Sequence, residues 1–160
     1  MLARIRSWLT AAPGPLRLAR ERGDEEFATV FVTTDFWLFC LPAEFQDGIP
    51  SSVPQEEALA FIERAAQDLA ERESFEPFAY RAPNGNRVLP LFTDERAAQT
   101  FLQSYVNEVR RIVPFQGVSI KGAALAGSLG NYDVVLVNPR TADELLVSPG
   151  EVRSIVAKGA

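Results

Sequence analysis

Between Arg87 and Tyr105 the spacing of apolar residues changes its period within a few positions. "RVLPLF" is apolar almost without interruption, "TDE" intervenes, and Ala98, Phe101, Leu102, Tyr105, Val106 and Val109 then recur every three or four residues. The first run suits a buried strand and the second one face of an amphipathic helix. Thr93 is the expected N-cap, with Asp94 and Glu95 in the first turn, where acids complement the helix dipole. Arg110, Arg111 and Pro114 suit the helix end. A strand that feeds directly into a helix restricts the chain to folds that layer helices on a sheet.

The rest of the sequence extends this pattern. "FATVFVTTDFWLFCLP" holds two apolar runs on either side of Thr33-Thr34-Asp35, both expected as strands from their Thr, Val and aromatic content. In the second run Phe36, Leu38 and Cys40 alternate with Trp37, Phe39 and Leu41, so that strand is expected to be covered on both faces. A loop rich in proline and glycine leads to a helix over about 54–73. Ser52 and Gln55 have capping-box spacing there, and Leu59, Ile62, Ala66 and Leu69 form its stripe. Asn84-Gly85 predicts a tight turn between two extended segments, and Pro90 places the second of them near an edge or in a local irregularity. A strand through Ile120, a short helix or loop, the strand "YDVVLVNP" and a short strand "ELLV" follow. Ser148, Pro149 and Glu151 then supply the N-cap, first position and capping-box partner of a last helix. The fold class expected is α+β: a single domain with a mixed β-sheet of about five to seven strands flanked by three or four helices. Residues 1–25 are expected as an N-terminal arm with a short helix over 2–9, and 26–160 as the domain.

A length of 160 residues and 47% hydrophobic content suit one core. The net charge of −5 argues against a general nucleic-acid binder, which needs a basic face. The charge is uneven: residues 1–22 carry five arginines and one acid, whereas residues 23–75 carry 12 acids and two bases. The chain is expected to be soluble and cytoplasmic. Arg4, Arg6 and Ser7 interrupt the apolar start, and Asp35, Pro42 and Glu44 interrupt the most apolar stretch, so no signal peptide or membrane span is expected.

Histidine is absent, which removes Ser-His-Asp and Cys-His catalysis and histidine metal sites. "GAALAGSLG" has two glycines at phosphate-loop spacing. Ser128 stands where the loop needs lysine and Leu129 where it needs Ser or Thr. A nucleophile elbow at Ser128 would need a histidine, leaving only a formal Ser128–Lys121 dyad. Close packing of small residues is the preferred reading. Cys40, among aromatic and aliphatic neighbours, reads as a buried structural thiol. Asp94, Glu95, Asp133, Asp143 and Glu144 could form a hard-cation site only if the fold gathered them, and capping or surface roles explain them as well. No cofactor is expected. The aromatic residues of 27–45 read first as core and second as a groove for a partner protein. Such a surface would draw on Trp37, Phe45, Phe92, Asp94 and Asn138.

Three stretches resemble the SseB family, specifically its N-terminal domain. "VLPLFTDERAAQTFL" is similar to the family's strand ending in Phe-Thr and its following helix; "DVVLVNP" resembles its buried strand ending in Asn-Pro; "LLVSPGEVRSIV" resembles the next strand and helix. The resemblance covers roughly 75–157. "NPRTADE" lacks the glycine usual shortly after Asn-Pro, so the turn there is expected to differ. The resemblance implies a bacterial α+β domain, associated with enhanced serine sensitivity and, by name, with secretion-system proteins. It brings no catalytic residues. The leading expectation is a non-enzymatic module that binds another protein, as a monomer or weak homo-oligomer. The alternatives are a small-molecule-sensing or hydrolytic domain with a pocket near Ser128, Asn138 and Asp94, and a secretion-associated chaperone or effector.

Overall fold

The computed structural model of the chain describes residues 13–40, 77–109 and 116–160, together with single positions between 54 and 64. The expected helices at 2–9 and beyond residue 64, the cap pair Ser52 and Gln55, and Phe45 lie outside the described residues. Glu56, Glu57, Leu59, Ala60, Glu63 and Arg64 are helical, as expected; Leu59, expected on the buried stripe, is 52% exposed.

The described elements are α1 (Pro15–Glu21), α2 (Asp24–Thr33), β1 (Asp35–Cys40), β2 (Tyr80–Arg81), β3 (Arg87–Leu91) and α3 (Glu95–Val109). They continue with β4 (Gln116–Lys121), α4 (Gly122–Leu125), a 3-10 helix (Ala126–Asn131), β5 (Val134–Val137), β6 (Leu145–Val147) and α5 (Pro149–Gly159). The strands run in the order β2-β3-β5-β6, with a second pair β1-β4. β3 and β5 are parallel and the other pairs antiparallel. Trp37 joins the two sheets: its N–H donates to the Phe92 carbonyl at 2.7 Å, and the Phe92 N–H donates to its carbonyl at 2.8 Å. The chain is thus a single-domain α+β protein, as expected.

Two expectations are corrected. Residues 27–33 form most of helix α2 and not a strand. Asp24, Glu25 and Glu26 occupy its first turn, where the dipole favours them. Phe27, Ala28 and Phe31 then fall on one buried face, and the Thr29 and Thr33 hydroxyls donate to the carbonyls of Glu25 and Thr29. The gain from burying two phenylalanines in a core outweighs the strand preference of Thr and Val, which spans only about 1 kcal/mol. The N-cap of α3 is Asp94 and not Thr93: Asp94 Oδ1 accepts the Ala97 N–H at 2.7 Å.

The other local readings hold. β1 is buried on both faces, with Phe36, Leu38 and Cys40 in one cluster and Phe39 in another. Gly85 takes φ 88° in the turn after β2. Pro90 lies in a central strand, but β2 pairs only with Arg87 and Val88, and β1 joins only at Phe92. The missing N–H of Pro90 falls in the gap between them. The capping box of α5 is closed by Ser148 and Glu151. Gly122 serves close packing: a Cβ there would overlap the Phe31 carbonyl oxygen.

Two cores result. α1, α2, α5 and the 3-10 helix cover one sheet face over Leu89, Leu91, Val135 and Val137. α3 covers the other, where Phe78, Phe92 and Phe101 meet. α1, within the segment expected as an arm, buries Leu16 and Ala19. Its Arg20 holds the buried Glu151 through two 2.9 Å hydrogen bonds and donates to the Leu146 carbonyl.

Candidate functional site

β3 and β5 run side by side and end together at Leu91 and Val137. In open sheets with parallel strands the carboxyl ends are where ligands are commonly bound, because neighbouring connections diverge and leave a crevice. Here the two chains leave the sheet through Phe92-Thr93 and Asn138-Pro139. The Asn138 N–H donates to the Leu91 carbonyl at 2.7 Å, extending the ladder by one bond. Asn138 then turns with φ 50°, a left-handed conformation that asparagine tolerates better than most residues. Its Oδ1 accepts the Thr93 N–H and its Nδ2 donates to Thr93 Oγ1, both at 2.9 Å. Asn138 is 4% exposed, so these bonds meet the demand of a buried amide.

Beside this pair lies a cleft of about 360 Å³. Its apolar lining is Leu16, Val137 and Leu145, together with Gly14 and Pro15. Its polar lining is Thr34, Asp35, Thr93, Asn138 and Asp143. The Thr34 hydroxyl donates to the Val30 carbonyl at 2.7 Å. Asp35 pairs with Lys121 at 2.9 Å on the adjacent strand, and Asp143 stands 3.4 Å from Arg17 Nε. The Arg17 Nε is buried and, among the described residues, makes no hydrogen bond.

The turn after Asn138 uses a second left-handed residue, Arg140, with φ 64°. This is the stretch where the family's usual glycine is missing. Glu144 Oε2 accepts the Arg140 N–H at 2.7 Å, and its guanidinium binds Ser104 Oγ and Glu108 Oε2, each at 2.6 Å, above the Phe101 ring. The arginine side chain ties the turn to α3, which offsets the strain of a non-glycine residue there.

The expected site residues separate into different roles. Asn138 lines the cleft. Phe92 is fully buried between Phe39 and Phe101. Asp94 caps α3, one residue beyond Thr93. Trp37 is half-buried against the aromatic cluster. Ser128 does not join Asn138 and Asp94. It precedes β5 while Asn138 follows it, so the length of the strand separates them. Its hydroxyl donates to the Leu125 carbonyl at 2.9 Å, and Lys121 turns to Asp35. The Ser128–Lys121 dyad is therefore not formed. The five acids are likewise divided: Asp133 accepts the Arg87 N–H, Glu144 accepts that of Arg140, and Asp143 faces Arg17. Among the described residues no three metal-ligating side chains gather. Cys40 is buried, and burial pushes its thiol up to about 12. Sequence reasoning missed Gly14, Thr34 and Asp35 as cleft residues. The one signal was the polar Thr34-Asp35 pair ahead of an apolar strand.

A mixed sheet covered on both faces, with a cleft at the ends of its parallel pair, defines an α+β domain with a concave surface feature. The SseB protein N-terminal domain matches residues 16–154, and the chain belongs to the SseB family. Neither the curated proteins nor the solved structures give a match. No helix among the described residues is long and apolar enough to cross a membrane.

Proposed function

We propose that this SseB-family domain is a non-enzymatic module that takes a short segment of another protein into the cleft beside Asn138. The observation that carries the reading is the reciprocal hydrogen bonding of Asn138 and Thr93 next to apolar lining residues. Groups poised for proton transfer need free capacity toward a substrate, whereas these two spend theirs on each other and leave a shaped, partly apolar recess. Ser128, Lys121 and Asp94 are engaged in bonds of their own, and the Cys40 thiol is held protonated.

The test is a cleft-blocking variant. Gly14 has φ −64°, which any residue adopts, and a Cβ there would come 2.9 Å from Asp143 Oδ2. Gly14→Leu is expected to fill part of the cleft at a small cost in Tm, because only the end of the Asp143 side chain has to move aside. A partner recovered from native extract by the wild-type domain should be lost by the variant. Retention of that partner at full affinity would overturn the reading.

A further inference from the structure

We infer that two arginines of α1 guard the outer edge of β6 against antiparallel pairing with a second copy of the chain. Among the described residues the strand order β2-β3-β5-β6 leaves one side of β6 without a partner strand. The sequence of β6 does nothing to discourage pairing. Leu145, Leu146 and Val147 include no charge and no proline, and Leu146 is 58% exposed. An apolar strand at the end of a sheet offers its N–H and C=O groups to any strand that approaches.

Successive residues of a strand point their backbone groups to opposite sides, so those of Glu144, Leu146 and Ser148 face the same edge. It is the outer one, because the Leu146 carbonyl accepts from α1 and not from β5. Arg17 Nη2 donates to the Glu144 carbonyl at 3.3 Å, and Arg20 Nη2 to the Leu146 carbonyl at 2.6 Å. The two arginines lie three positions apart and share one face of α1. Acids on either side of β6 hold them in place: Asp143 lies 3.4 Å from Arg17 Nε, and Glu151 accepts two 2.9 Å bonds from Arg20. The rest of the edge is used within the chain. The Glu144 N–H donates to the Thr141 carbonyl, the Ser148 N–H to Glu151, and the Ser148 carbonyl accepts from Val152.

Without the arginines the edge would open at Leu146, and it is self-complementary there. About a two-fold axis at Leu146, the N–H and C=O of one copy exchange both bonds with those of the other. The two exposed leucine side chains then lie side by side. A longer foreign strand gains less, because the N–H groups of Glu144 and Ser148 and the Ser148 carbonyl are already bonded.

The experiment follows the mass of the full chain by light scattering as its concentration rises. The wild type should stay monomeric, and Arg17→Ala/Arg20→Ala should approach twice the monomer mass. Loss of Arg20 also strips Glu151 of its partner, so Arg17→Ala/Arg20→Lys is measured beside it. Lysine keeps a cation on Glu151 but lacks the fork that reaches Leu146 at the same time. This variant should dimerise too, and it decides the outcome if the first does not fold. Leu146→Pro added to either variant should restore the monomer, since proline has no N–H to exchange. Glu151→Gln alone should stay monomeric, because Arg20 still covers the Leu146 carbonyl. Folded arginine variants that remain monomeric would overturn the guard. So would a dimer that Leu146→Pro leaves intact, or a wild type that already pairs at Leu146. Association of Glu151→Gln to the same extent would trace the effect to lost stability and overturn it as well.

Discussion

Asn138 and Thr93 bind each other twice across the carboxyl ends of β3 and β5, through Oδ1 to the backbone N–H and through Nδ2 to Oγ1. The residues that follow the two parallel strands thereby close one structural unit. The stretches "LPLFT" and "LVNP", which carried the family resemblance, meet at this pair.

Asn138→Ala should cost about 2–3 kcal/mol, the sum of a buried amide's lost bonds and a left-handed alanine. Asn138→Gly keeps the backbone conformation and should cost about 1 kcal/mol less. Urea denaturation of both variants separates the two contributions. Equal losses would show that backbone strain is not part of the role of Asn138.

Asp94 takes the capping role expected of Thr93, which lies ahead of the helix and pairs with Asn138. Asp94→Ala removes the side chain that accepts the Ala97 N–H and should cost about 1 kcal/mol. Asp94→Asn keeps an acceptor and should cost a few tenths. The same denaturation assay reads both. A larger loss for Asp94→Asn than for Asp94→Ala would contradict the cap.

Arg20 meets Glu151, which is 3% exposed, with two charge-assisted hydrogen bonds. Arg20→Ala leaves that carboxylate with only the capping interactions of Ser148. The expected cost is about 2 kcal/mol, kept below the fully buried case because the arginine itself is one-third exposed. Arg20→Ala combined with Glu151→Gln should recover part of it, as measured by Tm.

Cys40 makes stability fall at alkaline pH. An ordinary thiol ionises near 9.0, whereas the folded Cys40 holds its proton to about 12 because burial opposes the charge. Between those values the unfolded chain binds fewer protons than the folded one, so raising pH favours unfolding. The slope from this one thiol is at most about 1.4 kcal/mol per pH unit. Burial also raises Tyr80, which adds in the same direction above pH 10.0. Cys40→Ala should flatten the decline in urea midpoint that starts near pH 9, and native wild-type protein should resist a thiol reagent that labels it in urea.

Much of the fold was legible because its signals are local. The period of three and four from Ala98 to Val106 marks α3, Asn84-Gly85 a turn, and Ser148-Pro149-Glu151 the start of α5. Each depends on residues a few positions apart. The misreading of residues 27–33 has the opposite origin. Thr, Val and Phe favour a strand in isolation, but Phe27, Ala28 and Phe31 share one buried face only in a helix, since a strand would put the adjacent Phe27 and Ala28 on opposite faces.

The candidate site was legible only in pieces. Asn138 was singled out, but Gly14, Thr34 and Asp35 were not, since nothing in their local sequence sets them beside residues a hundred positions away. By itself the sequence determined the α+β class, the family and the exclusion of histidine chemistry, because period, motif and composition are properties of the chain. The tertiary structure decided which acid caps α3, where Ser128 lies and that α1 closes a cleft over Asn138. Those outcomes depend on which surfaces bury each other, and burial is settled between distant segments.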